Sequence, residues 1–171
     1  MKSSQLLKTE YSAFYATYIN ALEDISLLEG LENGLNQMVS FISNISSEKL
    51  EYRYAEGKWT IKDILLHLID AERIFAYRAL RIGRGDKTPL AGFEENGYVI
   101  NANANSRSVE SLLNEFQLVR KSTLELFQNF SEEQLAYLGT SSDNIISVRA
   151  IGFIISGHQN HHLKVIVERY L

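Results

Sequence analysis

The stretch GDKTPLAGFEENGYVINANANS, residues 85–106, decides how the rest of the chain is arranged. It holds the only proline, Pro89, and its Gly and Asn content argues against another regular element. A structureless connection this long in a compact domain usually has a task. On either side of it, apolar residues recur with helical spacing over about 27–45, 60–84, 108–130 and 147–170. A helix of about 24 residues is about 36 Å long, and 22 extended residues cover that span with slack. The stretch is therefore expected to run end to end as a crossover, leaving helices two and three parallel, while the shorter connections join antiparallel neighbours. The expected fold is all-α: an up-down-down-up four-helix bundle, one domain over residues 1–171, with helix two antiparallel to helix four.

Helix starts support these boundaries. In KWTIKDI, Thr60 is an N-cap with Asp63 three residues on, and Trp59 and Ile64 occupy the positions of a hydrophobic staple. Ser108 and Ser147 are N-caps for the third and fourth helices, Gly139 to Asn144 reads as a loop, and Ser131 opens a short capped turn. The aromatic segment EYSAFYATYI, residues 10–19, is expected to wrap onto the bundle.

Composition removes several function classes. A net charge of −4 with interspersed signs offers no basic stripe for nucleic acid. No stretch approaches the roughly 20 apolar residues that span a bilayer, and the first residues lack the apolar core of a signal peptide, so no membrane partner and a cytoplasmic location are expected. The chain has no cysteine, which excludes disulfides, thiolate ligands and a cysteine nucleophile. Thiol chemistry would need an imported thiol.

Three of the four histidines fall within five residues of SGHQNHHLKVIVERYL, residues 156–171. Ile64, His67, Leu68, Ala71 and Phe75 share one helical face, and Ile151, Ile155, His158, His162 and Val165 share another, so His67, His158 and His162 all lie on apolar stripes. A lone His there is ordinarily a hydrogen-bonded core residue. Two imidazoles one turn apart each need a polar partner or a shared cation. His67 lies about 10 Å from the start of helix two and His162 about 12 Å from the end of helix four, heights that match only in an antiparallel pair. His161, about 60° from His158 and about 100° from His162 on the helical wheel, is read as a surface or supporting residue, with replacement of His162 as the alternative.

On these blocks, with YRYAEGKWTIKDILLHLIDAERIFAYRALRIGRGDKTPLAGFEENGYV, NANANSRSVESLLNEF and SVRAIGFIISGHQNHHLKVIVERYL, the chain resembles the DinB/YfiT-like superfamily over nearly its whole length. The resemblance implies an up-down-down-up bundle and a metal triad of His67, His158 and His162. It also implies a homodimer; Ile166 and Tyr170, off the ligand stripe, are candidates for its face or equally for covering the monomer's own core. One departure stands out. Members often carry an acidic residue directly after the first histidine of the last motif, and here that residue is Gln159; position i+1 faces away from the ligand stripe, so an acid/base role is weakened but ligation is not.

Three imidazoles leave positions open on a divalent ion, as catalytic sites do. Zinc and nickel are the metals expected, with iron or manganese as alternatives. Two reactions on a small-molecule substrate fit. In the first, preferred here because the resemblance extends to thiol transferases, an exogenous low-molecular-weight thiol attacks an electrophile. In the second, a metal-activated water hydrolyses the substrate. A non-catalytic metal-binding module is the third reading. No residue is assigned as catalytic. Asp70 and Glu72 read first as surface charge pairs, with ligand orientation or a network with Arg73 and Arg78 as the alternative. Tyr54, Phe93 and Tyr98 are candidates to roof the site or simply to pack over a bundle end.

Overall fold

The computed structural model describes all residues, Met1–Leu171. A short N-terminal helix, α1 (Ala13–Ile19), precedes the first bundle helix, α2 (Leu27–Ser43). One turn, α3 (Ser47–Leu50), leads to α4 (Ile61–Gly83), and the connection after it carries α5 (Glu95–Ala102). The third bundle helix is α6 (Val109–Gln128); then come α7 (Glu132–Ala136), strands β1 (Leu138–Ser141) and β2 (Asn144–Ser147), and the fourth, α8 (Val148–Arg169). The long helices therefore start where their caps stand. Thr60 Oγ1 accepts from Asp63 N at 3.0 Å while Asp63 Oδ2 accepts from Thr60 N at 2.9 Å. Ser108 and Ser147 accept from Ser111 N and Ala150 N.

Specific contacts give the helix directions. Along α4 and α6, Arg73 meets Glu115 and Glu72 meets Arg120, and a Cβ on Gly83 would strike Phe130 just past α6, so these helices are parallel. Along α2 and α8, Gly30 lies beside Ser156 and Gly34 beside Gln159, a second parallel pair. Along α4 and α8, His67 meets His158, and Tyr170 at the end of α8 donates to Trp59 O before the start of α4, so this pair is antiparallel. The bundle is up-down-down-up, as expected.

The crossover does run back along α4. Its first part touches the end of that helix, where Arg78 donates to Ala91 O. Its last part is pinned to the beginning, where Asn105 accepts from Thr60 Oγ1 and donates to Asp63 Oδ1, both at 2.9 Å. It differs from expectation in containing α5, capped by Glu94, whose carboxylate accepts from Asn96 N and Gly97 N, and ended by Asn103 at φ 50°. Val99 is the one buried residue of α5, so no apolar period marked it. The expected loop at Gly139–Asn144 is a hairpin, with Leu138 opposite Ser147 and a two-residue turn, Ser142 and Asp143, at φ 50° and 60°. Positive φ at both positions is what a tight hairpin turn requires, and Asn or Gly is its commoner sign.

The core falls into two apolar clusters, one around Leu31, Phe75, Phe127 and Ile151, the other around Met38, Ile69, Phe116 and Ile166. Buried polar side chains of α4, α6 and α8, among them Glu72, Arg120 and Gln159, belong to neither cluster. Ile166 and Tyr170, considered for a dimer face, are 1% and 2% exposed inside the monomer, because α8 is covered by α1, α2 and α4 together. No helix is long and apolar enough to cross a membrane.

Candidate functional site

The antiparallel pairing of α4 and α8 brings His67, His158 and His162 together. The Nε2 atom of His158 lies 3.1 Å from that of His67 and 3.1 Å from that of His162. One donor atom from each of the three falls within 4.8 Å of the others, and no carboxylate belongs to the group. His67 and His158 are buried and His162 half-buried.

A ring nitrogen carries either one proton or one lone pair, so His158 Nε2 can satisfy one neighbour and not both. Protonation offers no escape. Burial pulls the pKa of His67 down to about 4, burial and the neighbouring imidazoles pull His162 down to about 3, and the same causes, burial first, hold His158 well below the ordinary range. At neutral pH three uncharged imidazoles converge with lone pairs available, which is the donor set of an imidazole-loving divalent cation. Nitrogens about 2.05 Å from one ion stand about 2.9 Å apart at right angles and about 3.3 Å apart at tetrahedral angles. The two spacings that involve His158, 3.1 Å each, fall between, and the third is bounded by 4.8 Å. His162 Nδ1 is buried without a hydrogen-bond partner, so its orientation comes from packing.

Aromatic rings supply that packing. Trp59, the staple residue, lies 4.8 Å from the His67 ring and stacks at 6.2 Å and 19° on His162. Tyr18 of α1 lies 5.4 Å from both His158 and His161. Gly157 permits this, because a Cβ there would stand 2.4 Å from Tyr18 O. Two openings reach the triad: a cleft with Tyr54, Trp59, His161 and His162, and a pocket with Tyr15, Phe75, Arg78, Phe93 and His158. Of the expected roof, Tyr54 and Phe93 line these openings, whereas Tyr98 reaches the site only through Phe93, 5.1 Å away. His161 is exposed, on the rim.

Next to the triad lies a polar layer that sequence reasoning missed. Arg120 of α6, 1% exposed, donates from Nε and Nη2 to the two oxygens of Glu72, both at 2.8 Å. It also donates to Gln159 Oε1 and to Leu31 O, at 2.9 Å each, and Gln159 Nε2 donates to Gly34 O at 2.9 Å. Glu72 is thus neither a surface charge nor a partner of Arg73 or Arg78. Asp70 does pair with Arg73, at 3.7 Å. Gln159 faces away from the ligands, as i+1 requires, and its amide is committed to Arg120. The signal available was Arg120 itself, four residues after Phe116 on an otherwise apolar stripe.

A sequence model of the DinB superfamily matches residues 31–166. A protein of Oceanobacillus iheyensis named "Putative metal-dependent hydrolase" is 26% identical over 145 residues, 83% of each chain. Among solved structures, YfiT from Bacillus subtilis is described as a probable metal-dependent hydrolase with an unusual four-helix bundle topology. It superposes with a TM-score of 0.75 at 18% identity, over 93% of this chain and 91% of that one.

Proposed function

The chain belongs to the DinB superfamily, and from that premise we propose that it is a metal-dependent hydrolase of a small-molecule substrate, its divalent ion held by His67, His158 and His162. One observation carries the reading: His67 Nε2 and His162 Nε2 each stand 3.1 Å from His158 Nε2, which can satisfy only one of them. Zinc or nickel suits them best, with iron and manganese as alternatives. Such an ion supplies Lewis acidity, which acidifies water and polarises a carbonyl.

The chain's own groups do the rest. Trp59 and Tyr18 fix the imidazole planes and shield two sides of the triad from solvent. His161 stands on the cleft rim, with its ring 5.3 Å from that of His162. Gln159 offers no carboxylate, and its amide is held by Arg120. The hydrolase reading takes precedence over thiol transfer because the names of both relatives point to hydrolysis. Thiol transfer stands second, on the observation that no cysteine in the chain supplies an internal nucleophile, so an exogenous low-molecular-weight thiol would have to.

Untagged protein should copurify with about one divalent metal per chain. Calorimetric titration of the stripped protein with zinc and nickel should show binding reduced by 100-fold or more, roughly, in His67→Ala, His158→Ala and His162→Ala, and by less than about two-fold in His161→Ala. Equal loss in His161→Ala would break the ligand assignment. Ester and amide substrates with and without small thiols, repeated in His67→Ala, separate the two reactions: turnover without thiol supports hydrolysis, turnover only with thiol supports transfer. A homodimer, if formed, must use a face other than Ile166 and Tyr170, and light scattering reads its mass.

A further inference from the structure

A guanidinium with no counter-charge stands in the wall of the pocket that opens onto His158. Arg78 lies on the α4 stripe of His67, Ala71 and Phe75 and is 3% exposed. Helical side chains lean toward the N-terminus of their helix. Arg78 accordingly folds back over the Phe75 ring, its central carbon 5.5 Å from the centroid, and Phe93 of the crossover lies 5.9 Å away. The same Phe75 ring is 6.5 Å from that of His158, and one pocket is lined by all four residues.

Of the five N–H donors of a guanidinium, those on Nη2 reach Ala91 O at 2.8 Å and, weakly, Ser142 Oγ at 3.4 Å, and the Tyr15 hydroxyl, a neutral acceptor in the same pocket, also faces the group. No carboxylate is paired with it. Glu72 is taken by Arg120, and Glu95 of α5 stands in the pocket wall without forming an ion pair with Arg78. Burial works against the charge of Arg78, yet a guanidinium keeps its proton in proteins. A buried, unpaired charge is costly. Water can accept from the free N–H groups but brings no counter-charge.

We propose that Arg78 is the residue that selects the substrate, receiving a carboxylate on a molecule whose apolar part lies against Phe75 and Phe93 and whose reactive carbonyl faces the triad. The position of that carbonyl rests on the hydrolase reading; the carboxylate subsite rests on Arg78 alone. A planar guanidinium matches a carboxylate with two parallel hydrogen bonds. Glu95 in the same pocket disfavours a dianion such as a phosphate monoester.

The test is calorimetric titration of benzoate, benzamide, phenyl phosphate and inorganic phosphate into the wild type, metal-loaded and stripped, and into Arg78→Met and Arg78→Lys. Benzoate should bind both forms of the wild type at least about ten-fold more tightly than benzamide, the scale of one charge-assisted pair. Arg78→Met should erase the preference, and Arg78→Lys should keep part of it, retaining charge without the fork. Equal binding of benzoate and benzamide overturns the proposal, and so does a preference that survives Arg78→Met, including one that appears only with metal. Tighter binding of either phosphate overturns the carboxylate assignment. If Arg78→Met does not give a cooperative melt, the arginine Nε–H spectrum of the wild type decides: the resonance missing from Arg78→Lys must shift with benzoate and not with benzamide. Absence of metal binding and hydrolysis beside an intact benzoate preference would sink the hydrolase reading alone, and the converse would sink the subsite alone.

Discussion

Gln159 and His158 are neighbours in the chain, yet they face polar surroundings of opposite kind. Gln159 belongs to a closed layer in which Arg120, Glu72, two backbone carbonyls and the amide exchange hydrogen bonds of 2.8 to 2.9 Å across all four bundle helices. His158 belongs to an open one: three imidazoles compete for one another's Nε2 atoms, and Arg78 on the same side has no anion. Burial is nearly equal, since Arg120 is 1% and Arg78 3% exposed. The difference teaches that depth alone does not mark a functional group. A buried polar group whose partners are all protein atoms holds the bundle together; one whose partners are missing is shaped for something from outside.

The comparison breaks first at Arg120. Arg120→Met should destabilise the protein by about 3–5 kcal/mol, because Glu72 is left buried without a cation while Gln159 and Leu31 O lose their donor. Urea unfolding measures it. A cost below about 1 kcal/mol, the scale of an exposed ion pair, would mean that the layer is not closed to solvent.

A smaller effect tests the open side. In the metal-free protein His67 has a pKa of about 4, against 6.5 in the unfolded chain. Between those values the unfolded chain binds more protons, so stability falls as pH is lowered from 6.5 to about 4 and changes no further from this residue below that. The loss from His67 should be of order 3 kcal/mol, and His67→Leu should flatten that part of the stability–pH curve. An unchanged curve in the variant would show that the triad does not hold a neutral imidazole against solution.

The open side was the more legible of the two. The offsets from Ile64 to Phe75 and from Ile151 to Val165 put His67, His158 and His162 on buried stripes, and the long crossover made their two helices antiparallel, so their convergence was legible in spacing and connectivity, while their reading as a ligand triad came from the family resemblance. The closed layer needs more than that. Arg120 on an apolar stripe announces a buried partner, but choosing Glu72 over other carboxylates depends on the axial register of α4 against α6, which no single-helix pattern encodes. Local elements failed for local reasons. The α5 helix buries only Val99, and the hairpin turn uses Ser142 and Asp143 where a glycine would have advertised positive φ. Arg78 was legible as a residue three after Phe75; its lack of an anion was not, because that is a statement about every other carboxylate in the protein.

The smallest expected effect sharpens the boundary between the two layers, at the position where members of the superfamily often carry an acid. Gln159→Glu keeps the acceptor for Arg120 and replaces the amide donor to Gly34 O with a second oxygen, setting carboxylate against carbonyl at what is now a 2.9 Å contact. Arg120 would then serve two carboxylates with one charge. The new carboxyl escapes that conflict by taking up a proton, which restores a donor to Gly34 O, so a cost of about 1–2 kcal/mol in unfolding near neutral pH is expected. There is little room for relief on that side, since a Cβ on Gly34 would already approach the residue 159 amide to 3.0 Å. Metal affinity should change by less than about three-fold, because residue 159 points away from the Nε2 cluster. A rise of ten-fold or more, roughly, would mean that the new carboxylate had turned toward the ligands, and that the two layers are alternative states of one polar cluster.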